Sequence, residues 1–391
     1  MTEAKPHNPV MVALGGAIAL AAAMGIGRFA YTPILPFMVD GLGMTAAEAG
    51  VLASVNYLGY MLGALAGALA VLPGGRRLWF LTALGVSAAT TLAMGMTESM
   101  GLFLALRFAS GVASAFVLVF SSALVLDRLA ESGRFGLSAL HFAGVGSGIA
   151  LSSVLIAALA TTGLDWSGLW LASGAVALLA LLFATVLVPP EGAAPAAPPK
   201  PTKREPINPR LVAIVVAYGL FGFGYVITAT FISTIVRFSP PVQVLEPYVW
   251  LAVGLAAAPS VAFWGPIGRR IGNDRAFALA CLVEAIGVAA SVFDTSKLAI
   301  LLAAILLGGT IMGITALGLI HARALTKGDP RRSMALMTAS FGVGQMVGPT
   351  FAGYAHQLGD SFLVPTLIAA GVLLVAAFLV TPPWRMFERR D

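Results

Sequence analysis

The sequence predicts an all-α integral membrane protein: twelve transmembrane helices as two pseudo-symmetric six-helix bundles. Three observations carry this reading. The 391 residues are 59% hydrophobic and only 10% charged, with mean hydropathy +0.92. A soluble globular chain carries about 25% charged residues, so the solvent around this one must be lipid. Apolar runs of about 20 residues, the length that crosses a bilayer, recur twelve times. Finally, the lysines and arginines sort into alternate loops.

The runs fall near 10–38, 47–72, 78–97, 100–126, 135–161, 167–188, 209–237, 246–267, 276–294, 297–322, 333–357 and 362–382. The run after Lys5 exceeds a leader's apolar core of ~7–15 residues and reads as a retained first spanning helix. Between the sixth and seventh runs, PPEGAAPAAPPKPTKREPINP is too rich in proline and charge to span a membrane. It divides the chain into an N-terminal bundle, 1–188, a linker, 189–208, and a C-terminal bundle, 209–391.

Of the 23 basic residues, nineteen lie near the termini, in the linker and in the loops on that same side. The opposite side holds Arg237 and Lys297, and Arg28 and Arg107 fall inside apolar runs. By the positive-inside rule both termini and the linker are cytoplasmic. The expected location is a membrane that the chain crosses many times. The net charge of +6 is thus a matter of topology, and no nucleic acid partner is expected. Cys281 is the single cysteine, which excludes an intrachain disulfide and a cysteine-built metal site.

The two halves repeat. RFGLSALHFAGVGSG from Arg134 aligns with RSMALMTASFGVGQM from Arg332, matching Gly144 and Gly146 to Gly342 and Gly344 at an offset of 198. Gly67 and Gly265 share that offset, and Gly25 and Gly27 match Gly222 and Gly224 at 197. A parallel repeat of six helices implies a pseudo-two-fold axis along the membrane normal. Arg28 breaks the repeat, because Tyr225 stands at its matching position.

Arg28 lies in GIGRFAYTPILP, Gly25–Pro36. A charge inside an apolar run is costly and normally faces a cavity or a partner. Arg28 and Arg107 lie in helices of opposite direction and can share a level. A pair of permanent cations suits an anionic ligand held by charge-assisted hydrogen bonds. Tyr31 follows Arg28 by three residues and, on a regular helix, shares its face. Tyr57 and Tyr60 share a face of the second helix, and Tyr218 and Tyr225, with Thr228, stripe the seventh. Such stripes suit a wet cavity, although Ser, Thr and Asn also serve as interhelical hydrogen-bonding groups. His141 is a proton-handling candidate or a neutral hydrogen-bonded side chain. Glu284 is the lone mid-helix carboxylate, and Gln345 lies in the eleventh run. Asp127 and Arg128, at the cytoplasmic end of the fourth helix, read as gate or interface charges. The glycines near 144 and 342 follow no strand, so they are no dinucleotide fingerprint. They read as hinge and packing positions where helices approach closely. No Walker A sequence, metal-ligand cluster or Ser–His–acid set is visible. The reading is therefore not an enzyme, with no cofactor or metal, driven by a gradient or by exchange.

Local motifs add a family resemblance. LALRFASGVASA, Leu104–Ala115, resembles the fourth-helix motif of the major facilitator superfamily, and GPIGRRIGNDR, Gly265–Arg275, keeps the glycine and basic cluster of its interhelical loop. GALAVLPGGRR, Gly67–Arg77, resembles the corresponding N-terminal loop but lacks its usual aspartate. GQMVGPTFAG, Gly344–Gly353, resembles a Gly-Pro-rich motif better known from the fifth helix, and GIGRFAYTPILP is similar to the first helix of a bacterial branch of predicted transporters. The resemblance implies that the first, fourth, seventh and tenth helices line a central cavity. The second, fifth, eighth and eleventh flank it, and the remaining four brace the outside. It gives Arg107, which falls in a motif common to transporters of unrelated substrates, a coupling or structural role as an alternative to substrate contact.

The leading expectation is a secondary active transporter moving a small solute, an organic anion or carboxylate, by alternating access. It works as a monomer in the lipid bilayer, with a proton or counter-anion as coupling partner. Arg28, Tyr31, Tyr57, Tyr60, Arg107, Tyr218 and Tyr225 are the substrate-binding candidates. His141, Glu284, Asp127, Arg128 and Gln345 are the coupling or gating candidates. The alternatives are proton-coupled multidrug or metabolite efflux, with Glu284 or His141 as proton carrier, and a membrane sensor with a transporter fold.

Overall fold

The computed structural model describes residues 8–69, 74–189, 208–293, 296–326 and 330–381. The 189–208 linker falls almost wholly outside them, as do Lys5, Lys200, Lys203, Arg204, Lys327, Arg385, Arg389 and Arg390. The regular elements described are all helical. In order they are α1 (Pro9–Leu20), α2 (Tyr31–Leu42), α3 (Ala46–Leu69), α4 (Arg76–Met94), α5 (Met100–Glu131), α6 (Ser138–Ala160) and α7 (Trp166–Leu187). Then come α8 (Pro209–Arg237), α9 (Glu246–Ala257), α10 (Ser260–Ile271), α11 (Asn273–Phe293), α12 (Lys297–Leu325), α13 (Pro330–Gly359) and α14 (Leu363–Val380).

Each of the twelve expected runs falls on helix, but two are not the single rods expected. The first is α1, a π-helical turn at Ala21–Ile26, and α2. The eighth is α9 and α10, bent by 43°. The second bend falls at Ala258–Pro259, where proline has no N–H for the carbonyl one turn earlier. Among the described residues ten helices are long and apolar enough to cross a bilayer, and the bent pair makes an eleventh. The remaining run, α13, has 30 residues. At 1.5 Å per residue that is about 45 Å, ample for a hydrocarbon core of roughly 30 Å. Ser340, Gln345, Thr350 and His356 dilute its apolarity.

Both halves begin alike. Asn8 and Asn208 cap α1 and α8 by accepting the N–H two residues on, at 3.0 Å in each case, and Pro9 and Pro209 follow at the first helical position. Asparagine fills an orphan donor there, and proline loses nothing because that N–H has no partner in the helix anyway. The sixth and twelfth runs, α7 and α14, turn large apolar side chains outward, among them Leu182, Phe183, Val186, Val364 and Val375. In lipid this exposure is the stable arrangement, and the outer placement agrees with the family resemblance.

Small residues set the distance between α3 and α13 and between α6 and α9. A β-carbon on Gly50 would fall 2.2 Å from the Pro349 carbonyl oxygen, and one on Gly146 would fall 2.2 Å from the Ala258 nitrogen. Backbones this close exchange dispersion and polar contacts that larger residues forbid. The Ser54 hydroxyl accepts from the Thr350 N–H at 3.1 Å and pairs with its hydroxyl at 2.7 Å. Near the middle of the bundle the Thr32 hydroxyl donates to the Ala229 carbonyl at 2.7 Å, and the two positions are 197 apart, the offset of the sequence repeat.

The glycine repeat has a different packing register from the one its spacing suggests. Gly144 and Gly148 back onto Ala17 and Ala21 of the first run, whereas Gly344 and Gly348 back onto Gly219 and Phe223 of the seventh. Gly342, the sequence match of Gly144, instead faces Met61 of α3. The packing equivalence is therefore shifted by two residues, because contacts to a neighbouring helix recur every four residues while the sequence match preserves only local spacing.

A valine at Gly148, whose β-carbon would lie 2.5 Å from the Ala21 backbone, is expected to destabilise the purified protein by about 1–3 kcal/mol. Alanine at Gly371, which has open space around it, is expected to leave the melting temperature unchanged or slightly raised. Thermal unfolding of the two variants side by side is the check.

Candidate functional site

The site is built on the break in the first run. Pro33 and Pro36 of TPILP supply no N–H to the preceding turn. Ahead of them the Gly27 and Phe29 N–H groups reach back five residues, to Ala22 and Met24, at 2.8 and 3.0 Å. The Thr32 N–H turns to the Phe29 carbonyl at 3.2 Å rather than to that of Arg28. The carbonyls of Gly27 and Arg28 are thereby left without helical donors. A buried unsatisfied carbonyl costs about 1–3 kcal/mol. Arg107 on α5 fills both positions: Nη1 approaches the Gly27 oxygen and Nη2 the Arg28 oxygen, each at 3.4 Å. The Ser110 hydroxyl adds a bond to the Gly27 oxygen at 3.2 Å. A cation facing the C-terminal carbonyls of a half-helix is favourably placed.

Arg28 points elsewhere. Its Nη2 donates to the Gln345 Oε1 at 3.1 Å, and the Gln345 Nε2 donates to the Tyr225 hydroxyl. The residue that breaks the repeat and its counterpart are thus joined through one amide. The Arg28 guanidinium lies 3.9 Å from the ring centre of Tyr60, 4.7 Å from that of Tyr57 and 5.2 Å from that of Phe29. Each such contact is worth roughly 0.5–2 kcal/mol depending on desolvation. None balances the charge. Arg28 and Arg107 are 3% and 2% exposed, their Nε groups have no hydrogen-bond partner, and no ion pair between described residues includes either of them.

The other predicted residues divide between this cluster and elsewhere. Tyr31 does not share Arg28's surroundings. It lies under Arg107 at 4.7 Å, and its hydroxyl donates to the Ala49 carbonyl at 2.8 Å. Residues 27–30, between the π turn and α2, are not regular helix, so the three-residue spacing that would have aligned Arg28 and Tyr31 does not hold. Asn56 holds the Arg107 carbonyl at 2.8 Å. Tyr218 reaches the Thr315 carbonyl at 3.4 Å and packs on Phe341. His141 is buried beside α1, with its Nε2 3.3 Å from the Ser122 hydroxyl, and stands apart from the arginines. Glu284 is fully buried on α11, and neither carboxylate oxygen has a hydrogen-bond partner. Asp127 pairs with Arg76 of α4 at 2.9 Å rather than with Arg128, which pairs with Glu131 at 3.0 Å. Consecutive helical residues point about 100° apart, so Asp127 and Arg128 cannot face one partner together.

Spacing alone did not reveal an ion network at the face opposite Asn8 and Thr381. Arg237, the last residue of α8, bonds Asp40 of α2 at 2.5 Å and Glu246 of α9 at 2.8 Å, and lies over Phe37 at 4.3 Å. The sequence signal was there: Arg237 is one of two basic residues in the otherwise base-poor loops. A cavity of about 600 Å³ near that face is lined by Leu35, Phe231, Ile235, His356 and Phe362, and contains none of the predicted site residues.

The fold, with paired cations at its centre, defines a multi-span helical transporter of the major facilitator type. The overall structure is similar to that of the nucleoside transporter NupG. A point mutant of that transporter superposes with a TM-score of 0.75 at 16% identity, covering 96% of this chain and 100% of that one. A second NupG structure gives 0.71 at 14% identity, covering 98% and 99%. A search of curated proteins found no match. The profile of the MFS_4 family, described as "Uncharacterised MFS-type transporter YbfB", matches residues 20–381, and the chain belongs to that family.

Asn in place of Asp40 is expected to loosen the Arg237 network. Cys281 is buried, so a cysteine introduced at Ser233, which lines the pocket containing Arg237, reports on opening. The Asp40→Asn, Ser233→Cys protein should react with a membrane-impermeant maleimide about fivefold faster than Ser233→Cys alone, the worth of a partly exposed ion pair of roughly 1 kcal/mol. Equal rates would show that the network does not hold this face shut.

Proposed function

We propose that this chain is a secondary transporter for a small organic anion, bound through a carboxylate, that works by alternating access. The observation that carries the reading is the pair of buried guanidiniums with no acidic partner among the described residues. A protein interior tolerates such charges when a ligand's charge completes the site. Arg28 is the direct contact. Its present partner Gln345 is neutral, so a carboxylate can replace the amide and gain a charge-assisted, bidentate bond. Arg107 holds the broken first segment in shape. Tyr57, Tyr60 and Tyr225 supply the walls and hydroxyl donors. The two bundles, 1–188 and 209–391, rock about this centre in a bacterial inner membrane with both termini cytoplasmic, and the protein makes and breaks no covalent bond.

Replacing Arg28 with Ala removes the anion contact and is expected to lower carboxylate uptake into proteoliposomes about 10- to 100-fold, the worth of a hydrogen bond to a charged group. The variant should remain monodisperse. Undiminished uptake would overturn the anion reading, and absence of net flux for the unmodified protein would favour a sensor.

Glu284 favours a second reading, proton-coupled efflux, because a buried carboxylate with no basic partner among the described residues suits a proton carrier. Under that reading Glu284→Gln abolishes transport driven by a pH gradient and spares counterflow exchange. If gradient-driven transport survives the substitution, Glu284 is a structural residue.

A further inference from the structure

Resting on the anion reading, we infer that the transported carboxylate carries a planar aromatic ring, stacked against a flat wall beside Arg28. The wall comes from α8 and α13. Tyr218, Phe221 and Tyr225 recur at spacings of three and four and so share one face of α8. Phe341 of α13 meets all three, with centroids at 4.9, 5.5 and 5.9 Å and interplanar angles of 31°, 28° and 10°. Phe221 and Tyr225 lie 5.1 Å apart at 27°, whereas Tyr218 is tilted by 46° from Phe221, so the flat face is made by Phe221, Tyr225 and Phe341. Gly344 allows the approach, since a β-carbon there would fall 2.0 Å from the Gly219 carbonyl oxygen.

Near-parallel rings are not how this molecule packs aromatics for filling alone in its other half. There Trp79–Phe116, Phe103–Trp166 and Phe116–Phe120 meet edge-on, at 76°, 80° and 88°. Edge-on pairs interlock, whereas parallel rings present a flat face that accepts another ring.

The wall and the guanidinium are neighbours. Tyr225 ends the wall, and Gln345 joins its hydroxyl to Arg28. On the opposite side Arg28 is faced by Tyr57 and Tyr60 of α3. Tyr57, Phe221 and Tyr225 are buried, but Tyr60 and Phe341 are partly exposed and form the accessible edge. A ligand that displaces Gln345 with its carboxylate brings its ring between Tyr60 and Phe341. The chemistry selects an aryl carboxylate over an aliphatic one, and over a planar solute without charge.

The test uses the purified full chain and three probes at millimolar concentration: benzoate, cyclohexanecarboxylate and uridine. Affinity is read from ligand-dependent shifts in melting temperature. Benzoate should bind roughly three- to tenfold tighter than cyclohexanecarboxylate, the margin that stacking supplies beyond apolar area. Uridine should give no shift. Phe341→Leu should equalise the two carboxylates while Arg28→Ala abolishes both responses; the comparison in the unmodified protein stands even if a variant fails to fold. Equal affinity for the two carboxylates, with both lost in Arg28→Ala, overturns the aromatic inference and leaves the anion reading intact. A uridine shift equal to that of benzoate and insensitive to Arg28→Ala overturns both, as does the absence of a response to either carboxylate.

Discussion

In a bilayer no water is available to satisfy a stray backbone carbonyl, and the arrangement of the centre follows from that constraint. The first segment loses regular helix at 27–30, just ahead of the prolines of TPILP, and the Thr32 N–H turns to Phe29, so the carbonyls of Gly27 and Arg28 are stranded. Arg107 and Ser110 come from α5 to meet them. With Arg107 committed to the backbone and to the face of Tyr31, it cannot balance or share the environment of Arg28. Arg28 is left to neutral company: one amide and three aromatic rings. A local defect in a helix thus fixes the role of one arginine and leaves the other open.

The halves are held together in the same spirit. Neutral hydrogen bonds join them at Ser54 with Thr350 and Thr32 with Ala229, and the Arg28 cation is held across the same interface by the neutral amide of Gln345. The ion pairs lie further out, where Arg237 ties Asp40 to Glu246 at one face. Hydrogen bonds between neutral groups contribute about 1 kcal/mol each and exchange readily. Charges at the rim are partly exposed and are screened by water, so ion pairs there are also weak.

Much of this was legible in the sequence, for identifiable reasons. Hydropathy located every helical run because lipid demands it over a known length. The repeat was visible in Gly25, Gly144 and their matches because close helix contact tolerates little else. The interruption of the first segment was implicit in its prolines, but the loss of regular helix at 27–30 was not, and so Tyr31 was assigned to the wrong arginine. Gln345 was visible only as a polar residue in an apolar run. Its position between Arg28 and Tyr225 depends on how two segments more than 300 residues apart meet, which no local pattern encodes. The Arg237 network escaped for the same reason: Asp40 and Arg237 come together across the interface between halves.

The contact between Thr32 and Ala229 lies off centre along α8. Ala229 stands eight residues before the end of α8 at Arg237 and twenty after its start at Pro209. At 1.5 Å per residue the two arms are about 12 Å and 30 Å. Under the proposed alternating access, a pivot about that point would sweep the far end of α8 more than twice as far as the end bearing Arg237. A small parting at the ionic rim would then translate into a wide swing at the other face, with the mechanical advantage set by where one threonine hydroxyl finds a carbonyl.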